Sequence, residues 1–409
     1  MSMIARCEQQ TLRLGSWLAI AGALLFGFGL YVQNLAAFPS NVGVSEWWGS
    51  ELAIRYCSGF VRRGLLGQVS WLMTGWLGHQ ASYVQVLSLL MAGAVLLLGF
   101  VLGVGLVRRC GWRVGLLILM APVGWPVMLN HAGALFRKDA LQVLLGALLL
   151  LLWRSIAREQ PKNRRFAGFF LIALVQILAV FNHEPFALLI LPCLAIAEFQ
   201  KSSSWFRSLL IVSPGLTSFL VAAIHRGNLS QVNCLAESLQ GLGLLAPAAR
   251  PGSSITELAL SKPSFFTWDL STAALSWSAG HFVVMSLAAL ASYGLLMSSS
   301  GLAHPLRKAV GLWCLQLIAA LPLFMATIDY GRWLAMIFCS GLFLVLIATP
   351  PRGSHSCVSV SGALKTSQAA LILIELLVLP THCCTYGIDR IYSVIPYAGL
   401  SAWKSLLQI

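Results

Sequence analysis

Long apolar stretches alternate with short polar segments along this 409-residue chain. They fall at 15–36, 82–107, 114–131, 139–153, 166–182, 185–199, 208–224, 279–298, 309–328, 331–349 and 368–384. A helix needs about 20 apolar residues to cross a bilayer. The pattern therefore predicts an all-α, polytopic membrane helical bundle of about eleven transmembrane helices, with residues 1–409 forming a single integral-membrane domain. The stretch 166–199 is interrupted only by "NHEP". Its proline disfavours a continuous helix, so a tight helical hairpin is expected there. The first apolar run ends in "QNLAAFPSN" and reads as a retained first span rather than a cleaved signal.

A shorter pattern lies between the first two spans, in a loop over 37–81. Apolar residues at 65, 66, 69, 72, 73, 76 and 77 follow helical spacing, opposite a face of Gly64, Gly67, Gln68, Ser70, Thr74 and Gly75. This is the signature of an amphipathic helix lying in the membrane interface rather than crossing it. Trp71 and Trp76 suit that depth. A second long loop, 225–278, holds "LAESLQGLGLL", which predicts another interface-lying helix. Asn228 opens an N-L-S sequon there, relevant only in a eukaryotic lumen.

Composition agrees with the pattern. The chain is 58% hydrophobic and 10% charged, whereas a soluble domain has about 25% charged residues; lipid is its expected solvent. The net charge of +14 could suggest nucleic acid until the charges are placed. With a cytoplasmic N-terminus, sixteen of the 27 basic residues but only three of the 13 acids fall on the inner face. That asymmetry follows the positive-inside rule and needs no nucleic-acid partner. An odd number of spans puts the C-terminus outside the cytoplasm. The ten cysteines form no C-x-x-C pair and are expected to act mainly as small hydrophobes. "HCC" at 382–384 is too short to form a metal site alone, and Glu375 stands in mid-span.

The outer charges run against the rule and carry the candidate chemistry. "SEWWGSELAIRYCSGFVRRGLLG" holds Glu46, Glu51, Arg55, Arg62 and Arg63; "FRKDAL" holds Arg137, Lys138 and Asp139; "FNHEPF" holds His183 and Glu184; "TIDYGRW" holds Asp329 and Arg332. Charged groups at span ends facing a polar cavity are functional candidates. The plainer alternative is that Asp139, Asp329 and their basic neighbours pair with one another. His183 beside Glu184 offers a general base, because histidine titrates near neutrality and a carboxylate can hold it or act itself. Arg62 and Arg63, at the start of the amphipathic helix, could meet a lipid phosphate together with the free N–H groups of the first turn.

A long first outer loop with interface helices, about eleven spans, and acid and base gathered on the outer face resemble the GT-C class of integral-membrane glycosyltransferases. That resemblance implies a polyprenyl-phosphate-linked sugar donor, a glycan or lipid acceptor, and cell-envelope polysaccharide or glycoconjugate assembly. It gives Glu46, Glu51, His183, Glu184 and Asp329 catalytic roles, and makes Arg55, Arg62, Arg63, Arg137 and Arg332 phosphate-binding candidates. No Asp-X-Asp motif is present, so no cofactor is expected and a divalent metal has no motif to hold it. O-antigen polymerases and ligases resemble the chain in their outward arginines. "GFVRRGLLG", "FRKD", "HEP" and "DYGRW" together resemble uncharacterised bacterial multispanning proteins, which implies a bacterial inner membrane. Two rival classes remain. "CSG" at 57–59 resembles the nucleophile motif of exosortases, which would need a thiolate at Cys57. A lipid or solute transporter would use the same charges as a translocation path.

Overall fold

The computed structural model describes residues 54–60, 63–76, 83–128, 137–157, 162–225, 228–241, 272–326 and 330–349, with isolated positions 21, 22, 25, 52 and 368. The described residues fold as an all-helical bundle. Its elements are α1 (Leu65–Trp76), α2 (Tyr83–Cys110), α3 (Trp112–Leu119), a 3-10 turn (Trp125–Met128), α4 (Asp139–Ala157), α5 (Lys162–Asn182), α6 (Phe186–Leu189), α7 (Leu191–Ser202), α8 (Trp205–Ile224), α9 (Leu229–Gly241), α10 (Thr272–Ser299), α11 (Pro305–Ala326) and α12 (Tyr330–Ala348). Six of these helices contain stretches long and apolar enough to cross a membrane: Leu89–Cys110, Asp139–Ala157, Trp205–Ile224, Phe282–Ser299, Pro305–Phe324 and Gly331–Ala348. Phe166–Asn182 is apolar but shorter.

Two expected spans are broken helices. The segment expected at 114–131 ends its first helix at Leu119 and re-forms only as the 3-10 turn. Pro122 and Pro126 explain the break, since neither has an N–H to continue the ladder. Trp125 fills the gap, buried and donating from Nε1 to the Val95 carbonyl at 2.8 Å. The expected 185–199 span is divided at Ile190, ahead of Pro192, into α6 and α7. The break between α5 and α6 falls at His183–Pro185, where the proline was expected to interrupt the helix, but α5 and α7 do not close into the tight hairpin expected there; α8 packs against both. The expected spans at 15–36 and 368–384 lie outside the described residues apart from four isolated positions.

Nearly all of α12 is buried, and it packs against α2, α4, α7, α10 and α11. With little water inside a bilayer, buried polar side chains must find partners within the bundle. Tyr293 Oη lies 3.0 Å from the Phe338 carbonyl and 3.1 Å from Gln316 Oε1. Gln316 Nε2 donates to the Ile337 carbonyl at 2.8 Å. This approach requires Gly341, because a Cβ there would overlap the Tyr293 hydroxyl. A second device joins α5 to α8. Pro214 stands inside α8, and a side chain from α5 meets the backbone groups of the next rung. It is the Gln176 amide, donating to the Ile211 carbonyl at 2.8 Å and accepting from the Gly215 N–H at 3.2 Å. One side chain thus replaces the i to i−4 hydrogen bond that the proline-containing turn gives up.

α1 is amphipathic in the sense expected but is turned around relative to a soluble helix. Gly67, Ser70 and Thr74 face the protein, while Leu72, Met73 and Trp76 are exposed. Gly67 lets the helix cross the preceding segment closely; a Cβ there would overlap the Ile54 carbonyl oxygen. An outward apolar face and an inward small-polar face suit a helix solvated by lipid.

Candidate functional site

The two ends of the bundle differ in chemistry. At one end, side chains cap carbonyls. Arg109 Nη2 donates to the Leu346 and Thr349 carbonyls at 2.9 and 2.8 Å, and Lys201 Nζ donates to the Ala157 carbonyl at 3.0 Å. At the other end, acids and bases from four parts of the chain meet directly.

Arg63 precedes α1 with φ 65°, a left-handed conformation that costs a non-glycine residue about 1–3 kcal/mol. That turn carries its guanidinium to the turn between α5 and α6. Nε lies 2.9 and 2.8 Å from the two Glu184 carboxylate oxygens, and Nη2 lies 2.8 Å from Oε1. Lys138, fully buried at the start of α4, fixes the same backbone. Its Nζ donates to the Arg63 carbonyl at 3.0 Å and the Asn182 carbonyl at 3.3 Å. His183 is buried, with Nδ1 3.9 Å from Glu184 Oε2. The residue after Lys138, Asp139, opens α4 and meets Arg332 in the first turn of α12. Arg332 Nε and Nη2 each donate to one Asp139 oxygen at 2.7 Å, the parallel fork that favours Arg over Lys. Arg137, the residue before Lys138, is buried as well.

The loop carrying Arg63 is anchored on its far side. Cys57 is disulfide-bonded to Cys234 of α9. Gln231 Nε2 donates to the Phe60 carbonyl at 2.8 Å. α9 is itself started by a reciprocal cap: the Gln231 N–H donates to Asn228 Oδ1 and the Asn228 N–H donates to Gln231 Oε1, both at 2.9 Å. This is the capping-box arrangement with glutamine at the third position. Phe60 packs edge-on against Phe181, one residue before Asn182. Tyr56 stacks on Phe60, and burial pushes its phenol above the ordinary value.

The expected site residues therefore divide. Arg63, Glu184 and His183 come together, and Lys138 joins them. Arg332, expected to bind phosphate, is instead engaged by Asp139, as the plainer ion-pair alternative had it. Arg55 lies over the Trp71 ring, 3.7 Å from its centroid, so Trp71 is a cation–π platform. The disulfide removes the free thiolate that the exosortase comparison required at Cys57, and among the described cysteines Cys110, Cys193, Cys314 and Cys339 are free, Cys193 and Cys339 buried. Asn228, read as part of a sequon, serves as a helix cap. Glu46, Glu51, Arg62, Asp329, Glu375 and the "HCC" stretch lie outside the described residues. Among the described residues no three His, Cys, Asp or Glu side chains converge in a way that could hold a metal.

Lys138 and Asn182 were missed as individual contributors. The signal for Lys138 was its place between Arg137 and Asp139. Asn182 gave none, since one asparagine at a helix end usually reads as a cap or turn residue. The Asn182 side chain is buried, and neither Oδ1 nor Nδ2 has a hydrogen-bond partner. No protein-family model, curated protein or solved structure matches this chain.

Proposed function

We propose that the chain is a membrane glycosyltransferase of GT-C type. It takes a sugar from a polyprenyl-phosphate carrier on the face that bears the Cys57–Cys234 disulfide and passes it to a glycan or lipid acceptor in cell-envelope assembly. The observation that carries this reading is the contrast between the two ion pairs. Asp139–Arg332 is sealed, with side chains 4% and 3% exposed, whereas in Arg63–Glu184 they are 23% and 11% exposed. The reachable pair stands beside α1, whose outward apolar face suits a prenyl chain lying along the same boundary.

The pair suits a transfer in which charge moves. The acceptor hydroxyl loses its proton to Glu184 as its oxygen attacks the anomeric carbon. The bond from that carbon to the carrier phosphate breaks, and the departing phosphate oxygen keeps the electron pair. Glu184 becomes neutral as the phosphate gains charge, so the Arg63 guanidinium exchanges a carboxylate for the phosphate. Lys138 holds the Arg63 backbone in place, and His183 supports Glu184.

Two observations support the orientation. Basic side chains gather at the end away from the site, and a disulfide belongs in an oxidising compartment. The proposed topology has a cytoplasmic N-terminus, an extracytoplasmic C-terminus and a bacterial inner-membrane location.

The test is sugar transfer by the purified protein from polyprenyl-phosphate donors, with protein level and thermal stability checked. Glu184→Gln should slow transfer by about a hundred-fold or more. Arg63→Lys should retain part of the activity, because a fork becomes a point charge. Wild-type transfer by Glu184→Gln would overturn the role of the pair. Movement of the lipid-linked sugar across the bilayer without glycosidic-bond formation would make the chain a carrier instead.

A further inference from the structure

Arg63 and Glu184 meet at the ends of two short segments, and the same segments touch again three residues earlier. Phe60, three residues ahead of Arg63, packs edge-on against Phe181, three residues ahead of Glu184, with ring centroids 5.4 Å apart. Lys138 ties the segments a second time, through the Arg63 and Asn182 carbonyls. Phe60 is held in turn by the corner where α8 gives way to α9. The His225 ring lies edge-on to it at 5.8 Å, and Gln231 Nε2 donates to its carbonyl at 2.8 Å. Gln231 is buried, and its amide divides two tasks. Oε1 caps α9 by accepting from the Asn228 N–H, whereas Nε2 leaves the helix to hold the loop. A cap needs only the oxygen, and glutamate serves equally at that position. The nitrogen is therefore explained by the loop and not by α9. Three residues further on, Cys234 holds the same loop at Cys57.

We propose that Gln231 and Phe60 are positioning residues for the Arg63–Glu184 pair. The Gln231 amide fixes the Phe60 carbonyl, and the Phe60 ring sets the spacing between the segment that carries the guanidinium and the segment that carries the carboxylate. Neither is a base or a phosphate ligand in this scheme. This inference rests on the glycosyl-transfer reading above, in which Arg63 exchanges Glu184 for a phosphate. That exchange is a side-chain movement, and it stays in register only if both backbones are held. A slack loop leaves Arg63 farther from Glu184, and a carboxylate that loses an adjacent cation binds a proton more readily. Glu184 must be ionised to act as base, so slackening raises the pH at which transfer begins. The other charged groups at Glu184 are His183, with Nδ1 at 3.9 Å, and Lys138, on the carbonyl two residues before it. His225 is the titratable group against Phe60.

The test is the pH profile of sugar transfer by the purified protein, with a thermal midpoint taken for every variant. Less folded enzyme scales a profile without moving it, so stability and position are read separately. Residual transfer by Glu184→Gln should lack the acid limb of the wild-type profile, which assigns that limb to Glu184. Gln231→Met keeps the volume and removes the donor. It should move the limb up by about one unit, the low end of the shift an adjacent guanidinium produces. Phe60→Leu should move it the same way, and Phe60→Tyr, which keeps the ring, should leave it at the wild-type pH. Asn228→Ala is the control, because it weakens the start of α9 and leaves the Nε2 donor in place; its limb should not move. Three results would overturn the inference. A Gln231→Met or Phe60→Leu limb at the wild-type pH shows that the pair keeps its geometry without the brace. An Asn228→Ala limb that moves as far as that of Gln231→Met shows that α9 as a whole, not the amide nitrogen, holds the loop. A wild type that transfers no sugar, or a limb that persists in Glu184→Gln, overturns the glycosyl-transfer reading, and this inference with it.

Discussion

Arg332 is where the structure and the expectation of a phosphate ligand part most sharply, and a double-mutant cycle with Asp139 decides between them. The guanidinium donates twice at 2.7 Å to one carboxylate, and both side chains are at most 4% exposed. Removing one member of such a pair leaves an uncompensated buried charge, at about 3–5 kcal/mol. Removing both and filling the space with apolar atoms of similar volume is often close to neutral. Arg332→Met and Asp139→Leu should each lower the unfolding midpoint and the folded yield sharply. The double variant should recover most of the loss, giving a coupling energy of about 2–4 kcal/mol. The assay is thermal unfolding in detergent, paired with a titration of bare polyprenyl phosphate. An Arg332→Met protein as stable as wild type that no longer responds to the phosphate would refute the argument. Arg332 would then be the ligand, and the pairing with Asp139 incidental.

Gln176→Leu should destabilise the bundle by about 2–4 kcal/mol, because it strands the Ile211 carbonyl and the Gly215 N–H in an apolar interior; the check is the midpoint of the same unfolding curve. Restoring the proline rung with Pro214→Ala in that background should return part of the loss. Gly67→Val should displace α1 from the Ile54 carbonyl, seen as faster proteolysis between 60 and 80 with little change elsewhere. Cys57→Ser should add a free thiol at Cys234 to those already present, so that labelling from outside intact cells by an impermeant maleimide rises above the wild-type level. Labelling only after the membrane is opened would reverse the proposed orientation.

The sequence revealed the bundle because the length and apolarity of a run are local properties, and a bilayer imposes them directly. α2, α4, α8, α10, α11 and α12 sit where the runs are. The breaks at Pro122 and Pro192 were less legible, since an apolar run looks continuous across a proline that a tryptophan or a neighbouring helix accommodates. The site was legible as a list and not as a set of pairs. Arg63, His183, Glu184, Asp139 and Arg332 stood out because charge is costly near lipid. That Arg332 takes Asp139 and Glu184 takes Arg63 depends on how helices distant in sequence lie beside one another. The disulfide hid for the same reason, its cysteines being 177 positions apart. Asn182 hid for a different one: an unpartnered amide is visible only once every neighbour is placed.

The partners in this site also set an order of events during synthesis. Asp139 waits for Arg332, 193 residues later, Arg63 waits for Glu184, 121 residues later, and Cys57 waits for Cys234. A chain inserted from its N-terminus thus holds α4, with an acid at its head, through the synthesis of seven further described helices before the matching cation arrives in α12. The first loop cannot settle until the α5–α6 turn and α9 have emerged. Nascent chains stalled before residue 332 therefore carry an exposed mark of incompleteness, one that quality-control proteases at the membrane could read. Both partners of the more exposed ion pair are synthesised before the sealed one is complete, so this end of the bundle is roughed out early and locked only when α12 closes it.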